Sequence, residues 1–164
     1  MTRHKKDYRR NVGVIIFNPQ GQVWLGHRFG ETGPHCWQFP QGGMDKGEKA
    51  KSAAKRELFE ETGLIAENMD YLGKHKGWLY YDLPAEVIAQ RKKLNRYKGQ
   101  RQKWFAYRYY GDGSDVDLKA HGEQEFSKWK WAELDTVADT VVPFKRDVYE
   151  QLIITFSPFA KPIK

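Results

Sequence analysis

A spaced pattern of glycine, arginine and acidic residues constrains this chain more than any other feature. The segment from position 42 to 64 reads GGMDKGEKAKSAAKRELFEETGL: glycine, five residues, glutamate, seven residues, Arg-Glu-Leu, one residue, Glu-Glu, one residue, Gly-Leu. The positions held to one residue type are Gly42, Glu48, Arg56, Glu57, Glu60, Glu61 and Gly63. At ordinary residue frequencies, a chance match at a given start has a probability on the order of 10⁻⁸ or lower. The pattern therefore predicts a functional site.

The acidic residues near the end of this pattern have helical spacing. Glu57, Glu60 and Glu61 stand at i, i+3 and i+4, so a helix places their carboxylates on one face. Clustered anions repel each other, and a hard divalent cation such as Mg²⁺ relieves the repulsion where substrate phosphates complete its coordination. Glu48 precedes the helix, where a carboxylate favours the free backbone N–H groups and could also bind Arg56. The spacing predicts a metal site.

A solvated acidic helix face is the alternative interpretation of the same residues. Ala50, Ala53 and Ala54 lie seven, four and three residues before Glu57, so they share its stripe along the helix. Small apolar residues on that stripe indicate that it faces protein. We therefore favour carboxylates held in a crevice, which is where a metal ion would bind.

The length and composition fit one compact domain, residues 1–164, with a single sizeable core. No apolar run approaches membrane-spanning length, and the N-terminal sequence MTRHKKDYRR lacks the apolar stretch of a signal peptide. We therefore expect no membrane partner and a cytoplasmic location. The one cysteine, Cys36, has no partner for an internal disulfide, and we expect a small buried residue rather than a nucleophile.

Basic residues are in excess, with 28 Lys and Arg against 21 acids and a net charge of +7. They concentrate in two runs: Arg3, Lys5, Lys6, Arg9 and Arg10, and then Arg91, Lys92, Lys93, Arg96, Lys98, Arg101 and Lys103. Aromatic residues follow the second run from Trp104 to Tyr110, and this combination is typical of a polyphosphate or nucleic-acid surface. A solvated basic face beside a core strand is the alternative.

The order of predicted elements indicates an α/β fold. Residues 12–17 and 22–27 read as strands joined by a hairpin, and 37–40 as a short strand entering the motif. A helix is predicted from about Glu48 to Glu61, with Gly63 ending it. Further strands are predicted near 69–81, 102–110 and 126–131, with a polar, helical insertion after Pro84. A last helix is predicted to begin at Pro143. Strands with one central and one terminal helix imply a mixed sheet covered on both faces, an α/β/α sandwich.

The 42–64 pattern resembles the Nudix box, the loop-helix-loop catalytic motif of the Nudix hydrolases. Further stretches are similar to the bacterial RNA pyrophosphohydrolase and dinucleoside polyphosphate hydrolase subfamily: YRRNVG, WQFPQGG, GQRQKWF, QEFSKWKW and PFKRDVY. The resemblance spans nearly the whole chain and implies a Nudix-type α/β/α sandwich. It also implies hydrolysis of a phosphoanhydride bond in a nucleoside diphosphate linked to another group.

The resemblance also implies roles for individual residues. The metal ligands would be Glu57, Glu60, Glu61 and Glu125, with Glu123 as the residue that could be confused with Glu125, and Arg56 and Glu48 complete the catalytic motif. Arg9, Arg28 and Lys103 match substrate-binding positions, and Phe144 matches an aromatic that stacks on a nucleobase. Tyr81 is a second stacking candidate. Without the resemblance, Phe144 and Tyr81 both read as core residues.

These residues predict metal-assisted hydrolysis, with Mg²⁺ as the cofactor and Mn²⁺ or another divalent cation as the alternative. The expected activity is removal of pyrophosphate from 5′-triphosphate RNA, leaving a 5′-monophosphate end. The alternative is hydrolysis of a dinucleoside polyphosphate such as diadenosine tetra- or pentaphosphate. A nucleic-acid-binding protein without turnover is disfavoured because every acidic position of the pattern is intact. Extra loop residues, Glu31 to Pro34, leave the choice between the two substrates open.

Overall fold

The computed structural model describes residues 3–90 and 96–164, and a mixed eight-stranded sheet forms its centre. The strands are β1 (Tyr8–Phe17), β2 (Val23–Arg28), β3 (Trp37–Gln38), β4 (Gln41–Gly43), β5 (Asp70–Lys74), β6 (Leu79–Asp82), β7 (Gly99–Arg108) and β8 (Phe126–Ala132). The α-helices are α1 (Ala50–Thr62), α2 (Ala85–Gln90), α3 (Val137–Thr140) and α4 (Arg146–Phe156). Strand β1 runs parallel to β7 along its whole length, and the other described pairings are antiparallel.

Alternate residues of β1 enter two separate cores, one on each face of the sheet. Val12, Val14 and Ile16 pack with Ala53, Ala54 and Leu58 of α1, and we call this side the α1 face. The intervening residues Ile15 and Phe17 pack with Val148 and Leu152 of α4 on the other side, the α4 face. The period of two in β1 thus buries both of its faces. The α/β/α sandwich expected from the sequence is confirmed.

Strand β2 separates from β1 soon after the hairpin that joins them. The two strands pair only at Phe17 and Val23, whereas β2 pairs with β8 along Val23 to Arg28. The short strands β3 and β4 fill the gap, β3 on β2 and β4 on β1. The first residues of the motif, Gly42 and Gly43, therefore lie in β4, next to the central strand β1.

The structure moves several element boundaries. The strand predicted near 69–81 is two strands, because the chain leaves β7 between Lys74 and Leu79. Helix α1 begins at Ala50 rather than Glu48, because the backbone is still extended at Lys49, the N-cap residue. The helix expected at Pro143 opens with a 3-10 turn, Pro143–Lys145, and α4 follows it.

Three expectations concern parts of the chain outside the motif. Cys36 is buried, as expected. Among the described residues, no helix is long and apolar enough to cross a membrane. Arg91, Lys92 and Lys93 of the second basic run lie outside the described residues, so the structure bears only on that run from Arg96 onward.

Candidate active site

Helix α1 holds the acidic cluster at the rim of the sheet. Ala53, Ala54 and Leu58 are fully buried on the α1 face, which fixes how the helix lies on the sheet. Gly63 ends the helix in the left-handed conformation with φ of 78°, and its N–H donates to the carbonyl of Phe59. Glycine adopts this conformation without the strain that a Cβ brings. The helix thus stops immediately after its acidic residues.

Strand β4 carries the glycine on which Glu57 rests. A Cβ added to Gly42 would lie 2.0 Å from the Glu57 carboxyl carbon, so no other residue fits here without displacing that carboxylate. Gly42 pairs with Val12 in the middle of β1, which ties the loop to the core. Gly42 therefore lets the Glu57 carboxylate lie directly against strand β4.

Arg56 is hydrogen-bonded to three of the four glutamates of the pattern. It donates to both carboxylate oxygens of Glu48 at 2.9 Å, to Glu57 at 2.9 Å and to Glu60 at 3.1 Å. It also donates to the carbonyl of Gly43 at 2.8 Å. The hydrogen bond with Arg56 holds the pKa of Glu48 below its ordinary value, and that with Glu48 raises the pKa of Arg56. One guanidinium joins the loop to the helix.

Glu61 is the most buried acid of the cluster, at 5% exposure. Its Oε2 atom has no hydrogen-bond partner. Burial raises its pKa well above the ordinary value, and the charges of Glu57 and Glu125 add to that rise. Burial likewise raises the pKa of Glu57. Because an unpaired buried carboxylate is costly, this arrangement implies a cationic partner.

Strand β8 brings Glu125 to the same place from a distant part of the sequence. Arg28 pairs with Phe126 across a bulge in the β2–β8 ladder, and the Phe29 N–H donates to the Glu125 carbonyl at 2.8 Å. The fully buried Phe126 anchors that end of β8. Glu125 contributes to the raised pKa of both Glu57 and Glu61. These effects favour Glu125 as the fourth acid.

Glu125 also links three adjoining cavities into one cleft. An acidic cavity of about 370 Å³ is lined by Glu57, Glu60, Glu61, His121, Gly122, Glu123 and Glu125. A polar cavity of about 130 Å³ is lined by Arg28, Gln38, Gln41, Tyr81, Leu83, Gln100, Glu125, Phe144 and Lys145. An outer cavity of about 420 Å³ is lined by Arg28, Phe29, Glu123, Gln124 and Glu125. Acids and bases therefore meet at one boundary, as a site for a metal–polyphosphate complex requires.

Two aromatic rings and a buried lysine form the wall of the polar cavity. Tyr81 and Phe144 pack with ring centroids 5.7 Å apart. Phe144 is half-buried: it packs against the α4-face core and also lines the polar cavity. The position therefore fits both sequence-based interpretations, a core residue and a stacking residue. Tyr81 is only 4% exposed and its hydroxyl donates to Gln100, so it offers little ring to a base. Of the two, Phe144 is the better stacking candidate.

Lys145 is a site residue that the sequence reasoning missed. It is 6% exposed, and its Nζ donates to Gln38 Oε1 at 3.2 Å. Its charge acts against the raised pKa of Glu61, so the two residues lie within electrostatic reach. The only signal in the sequence was its position directly after Phe144, at the first turn of a helix. His121 was also missed, and its Nε2 lies 3.6 Å from Glu60 Oε1 in the acidic cavity.

The predicted substrate-binding cations occupy different places. Arg28 lines the polar and the outer cavity and lies 3.8 Å from Glu31 of the following loop. Arg9 lies against Gly43, where an added Cβ would be 2.3 Å from its Nη2. Lys103 lines none of the three cavities, and its Nζ lies 5.0 Å from the centre of the Trp78 ring. The structure thus brings Arg28 to the cleft, Arg9 to the motif loop, and Lys103 to a position on β7 outside the three cavities.

The donor set fits a hard divalent cation. As the side chains stand, no three His, Cys, Asp or Glu residues within 3–90 and 96–164 are arranged to hold a metal ion, and Arg56 bonds both Glu57 and Glu60. The Oε2 atom of Glu61 nevertheless has no hydrogen-bond partner, and Glu57, Glu60, Glu61 and Glu125 all line one cavity. Oxygen-only ligands of this kind suit Mg²⁺ or Mn²⁺.

Comparison with known proteins identifies a family for most of the chain. Residues 7–152 match the model of the NUDIX domain. An RNA pyrophosphohydrolase of Caulobacter vibrioides is 48% identical over 154 residues, covering 94% of this chain and 88% of the relative. A protein of the same name from Mesorhizobium japonicum is 42% identical over 168 residues, covering 97% of this chain and 95% of the relative.

Solved structures with the same fold are more distant in sequence. A C. elegans Ap4A hydrolase binary complex aligns with a TM-score of 0.64 and 20% identity, covering 92% of this chain and 98% of that one. The E. coli dihydroneopterin triphosphate pyrophosphohydrolase aligns with a TM-score of 0.63 and 20% identity, covering 92% and 99%. At this identity the likeness concerns the fold alone.

Proposed function

This chain belongs to the Nudix hydrolase family, and we propose that it is an RNA pyrophosphohydrolase that removes pyrophosphate from 5′-triphosphate RNA. The observation that carries the proposal is the single cleft in which Glu125 joins the acidic cavity to the cation-lined polar cavity. The relatives that bear this name match nearly the whole chain, the stretches outside the Nudix box included. An RNA substrate also implies a cytoplasmic site of action.

The proposed cofactor is Mg²⁺, with Mn²⁺ as the alternative; Nudix hydrolases in general use divalent cations. Glu57, Glu60, Glu61 and Glu125 would hold it, since all four line the acidic cavity and Glu125 also lines the polar cavity. When bound, the cation supplies positive charge to the phosphate oxygens and makes water a stronger nucleophile. Arg56 would then hold Glu48 and the Gly43 carbonyl, which fixes the loop while Glu57 and Glu60 bind metal.

The remaining residues of the cleft orient the substrate. Arg28 and Lys145 would bind the phosphate oxygens from the basic side, where a charge fixed in advance stabilises the charge that grows in the transition state. Phe144 would stack on the first base. Tyr81 supports the Phe144 ring and is itself held by Gln100. One carboxylate of the acidic cluster, on the opposite side of the cleft, would accept the proton of the attacking water.

A dinucleoside polyphosphate is the second candidate substrate, and the outer cavity is the observation that favours it. This cavity has room for about 420 Å³ of ligand and exposes the Phe29 ring beside Arg28. A second nucleoside could occupy it while the polyphosphate crosses Glu125.

The deciding experiment is parallel hydrolysis of a triphosphate-ended RNA and of diadenosine tetra- and pentaphosphate with Mg²⁺. We expect the RNA reaction to release pyrophosphate and leave a 5′-monophosphate, with a higher kcat/KM than that of either diadenosine polyphosphate. A higher kcat/KM for a dinucleoside polyphosphate, with little turnover of RNA, would assign the second candidate. No hydrolysis of either substrate class would overturn both.

A further inference from the structure

A cluster of cations lies on the α1 face of the sheet, outside the three cavities of the cleft. Arg10, Arg101 and Lys103 contribute its charge, and Trp78 and Tyr80 its aromatic rings. We call these residues the basic platform. The Arg101 guanidinium lies 4.3 Å from the centre of the Trp78 ring, and the Lys103 ammonium lies 5.0 Å from it. Each of the platform residues is half-buried.

Strand register puts these residues side by side. Arg10 of β1 pairs with Arg101 of β7, and Tyr80 of β6 pairs with Arg101 from the other side. Residues directly opposite each other in a sheet share a face. Val12, which belongs to the α1 core, pairs with Lys103, so the shared face is the α1 face. The platform is therefore a built part of the sheet across three strands.

The charges of the platform lack partners within the described part of the chain. Neighbouring cations of the same basic runs are paired, Arg3 with Asp82 and Lys98 with Asp7. Neither Arg10, Arg101 nor Lys103 forms an ion pair or a side-chain hydrogen bond with any residue in 3–90 or 96–164. Like charges on paired positions destabilise a sheet. Three cations held together without an acid indicate an anionic ligand.

Arg101 is also fixed in place. Its Nε is buried and has no hydrogen-bond partner, because the Trp78 ring packs against the guanidinium. A flexible solvated arginine would leave that N–H in water. The guanidinium thus packs against the indole, and arginine and tryptophan side chains are surfaces on which unpaired bases stack.

The platform lies close enough to the catalytic residues to share a ligand with them. Gly42, which lies beneath Glu57, pairs with Val12, and Val12 pairs with Lys103. Two strand spacings therefore separate Lys103 from Gly42, about 10 Å along the sheet. A strand that passes the acidic side of the cleft needs only about three nucleotides to span that distance, at about 3.4 Å per stacked nucleotide.

We propose that the basic platform binds the single-stranded body of an RNA whose 5′ end lies in the catalytic cleft. This inference rests on the proposed function and names a second contact region for the same substrate. Arg10, Arg101 and Lys103 bind backbone phosphates, and the Trp78–Arg101 stack carries a base. A dinucleoside polyphosphate has no backbone beyond its bridge and does not reach the platform.

The test compares substrates of different length at fixed free Mg²⁺. The variants are Trp78→Ala and Arg101→Gln, with Trp78→Phe as the conservative replacement that keeps a ring. We expect Trp78→Ala and Arg101→Gln to lower kcat/KM for a triphosphate-ended RNA of about 20 nucleotides at least about fivefold, the weakest effect of losing one base stack. A triphosphate-ended dinucleotide should be turned over at the parental rate, and Trp78→Phe should retain most of the activity on the long RNA.

A matched control is available on the α4 side of the sheet. Lys130 lies 4.2 Å from the ring centre of Trp37, and Lys128 lies 5.8 Å from it, so this pair copies the cation–aromatic chemistry of the platform. Lys128→Gln with Lys130→Gln should leave long-RNA turnover unchanged. An equal loss in this control would mean that RNA responds to total charge, which would overturn the proposal.

A binding measurement without catalysis separates this inference from the proposed function. Fluorescence anisotropy with a 5′-hydroxyl RNA reports binding of the RNA body alone. We expect the removal of one phosphate-binding cation to reduce the log–log salt slope by roughly 0.7. Parental affinity in both variants and a parental salt slope in Arg101→Gln, with hydrolysis of the triphosphate-ended dinucleotide intact, would overturn the platform and leave the proposed function standing. Failure of the parent protein to hydrolyse either triphosphate-ended RNA would overturn the proposed function instead. A thermal melt of each variant shows whether it is folded.

Discussion

Arg56 and Glu48 form a two-fold hydrogen-bonded ion pair that closes the catalytic loop onto helix α1. Nε and Nη2 of the arginine each lie 2.9 Å from one oxygen of the carboxylate. The side chains are 29% and 17% exposed, so solvent screens the pair only in part. The geometry requires a planar guanidinium, because an ammonium cannot donate to both oxygens in this way.

Replacing Arg56 by lysine is therefore expected to be damaging although the charge is kept. Arg56→Lys should lose the paired contact with Glu48 and the bond to the Gly43 carbonyl, each worth about 1.5 to 3 kcal/mol as a charged hydrogen bond before any new contact forms. We expect a lower melting temperature and reduced kcat. A lysine variant with parental stability and turnover would show that charge alone matters here.

The acid cluster should be essential for turnover. Glu57→Gln and Glu60→Gln are each expected to lower kcat by at least about two orders of magnitude, in line with loss of a metal-centred electrostatic contribution. Glu67→Gln is the matched control, since Glu67 is an exposed acid paired with Lys55 outside the cleft. Activity should also disappear in chelator and return with Mg²⁺. Full activity in chelator would rule out the metal site.

Replacement of each residue by glutamine tests whether Glu125 or Glu123 is the fourth acid. Glu125 borders all three cavities and acts on Glu57 and Glu61, whereas Glu123 borders two. We expect Glu125→Gln to reduce kcat and to raise the Mg²⁺ concentration needed for half-maximal activity. Glu123→Gln should change both quantities much less. The reverse order would assign Glu123 as the fourth acid.

The buried acid should make the metal-free protein less stable as pH rises. Glu61 has a pKa raised well above the ordinary value of 4.5, so its folded form favours the proton. Below pH 4.5 the group is neutral in both states and costs nothing. As pH rises through the raised pKa, ionisation costs more in the folded state than in the unfolded state, and the free energy of unfolding falls.

Thermal melts in chelator over this pH range measure the effect. Glu61→Gln should raise the melting temperature at neutral pH, flatten its decline with pH, and abolish activity. Mg²⁺ should stabilise the parent more than the variant. Glu48 has the opposite sign, because its lowered pKa contributes stability that disappears as pH falls through that value. A variant less stable than the parent at neutral pH would contradict the argument.

Phe144 should affect substrate handling more than folding. If its ring stacks on a base, Phe144→Ala should cost about 1 to 3 kcal/mol in kcat/KM. The ring is half-buried, so the loss of stability should stay below the value for a full core aromatic. Phe156, which is 1% exposed in α4, provides the comparison.

Phe156→Ala should destabilise the fold by about 3 to 5 kcal/mol and leave the kinetics of the folded fraction near normal. Thermal melts run beside the kinetic assay distinguish the two variants. A Phe144→Ala protein that melts early but binds and turns over substrate normally would mark Phe144 as a core residue only.

The sequence alone determined the local chemistry of the catalytic motif. Helical periodicity put Glu57, Glu60 and Glu61 on one face, because 3.6 residues per turn leave no other arrangement for that spacing. The left-handed end at Gly63 and the packing of Ala53 and Ala54 follow from equally local rules, and the structure has them as expected. The order of strands and helices was sufficient to give the α/β/α fold.

Only the tertiary structure decided which distant residues meet the motif. The β2–β8 ladder brings Glu125 beside Arg28, and the turn before α4 inserts Lys145 next to Gln38. Neither contact follows from a periodic pattern in the sequence, because each depends on how strands far apart in the chain are ordered in the sheet. The same order placed Lys103 beside Trp78 and away from the three cavities. Short-range spacing fixes which side chains share a helix face, whereas strand pairing fixes which elements face one another.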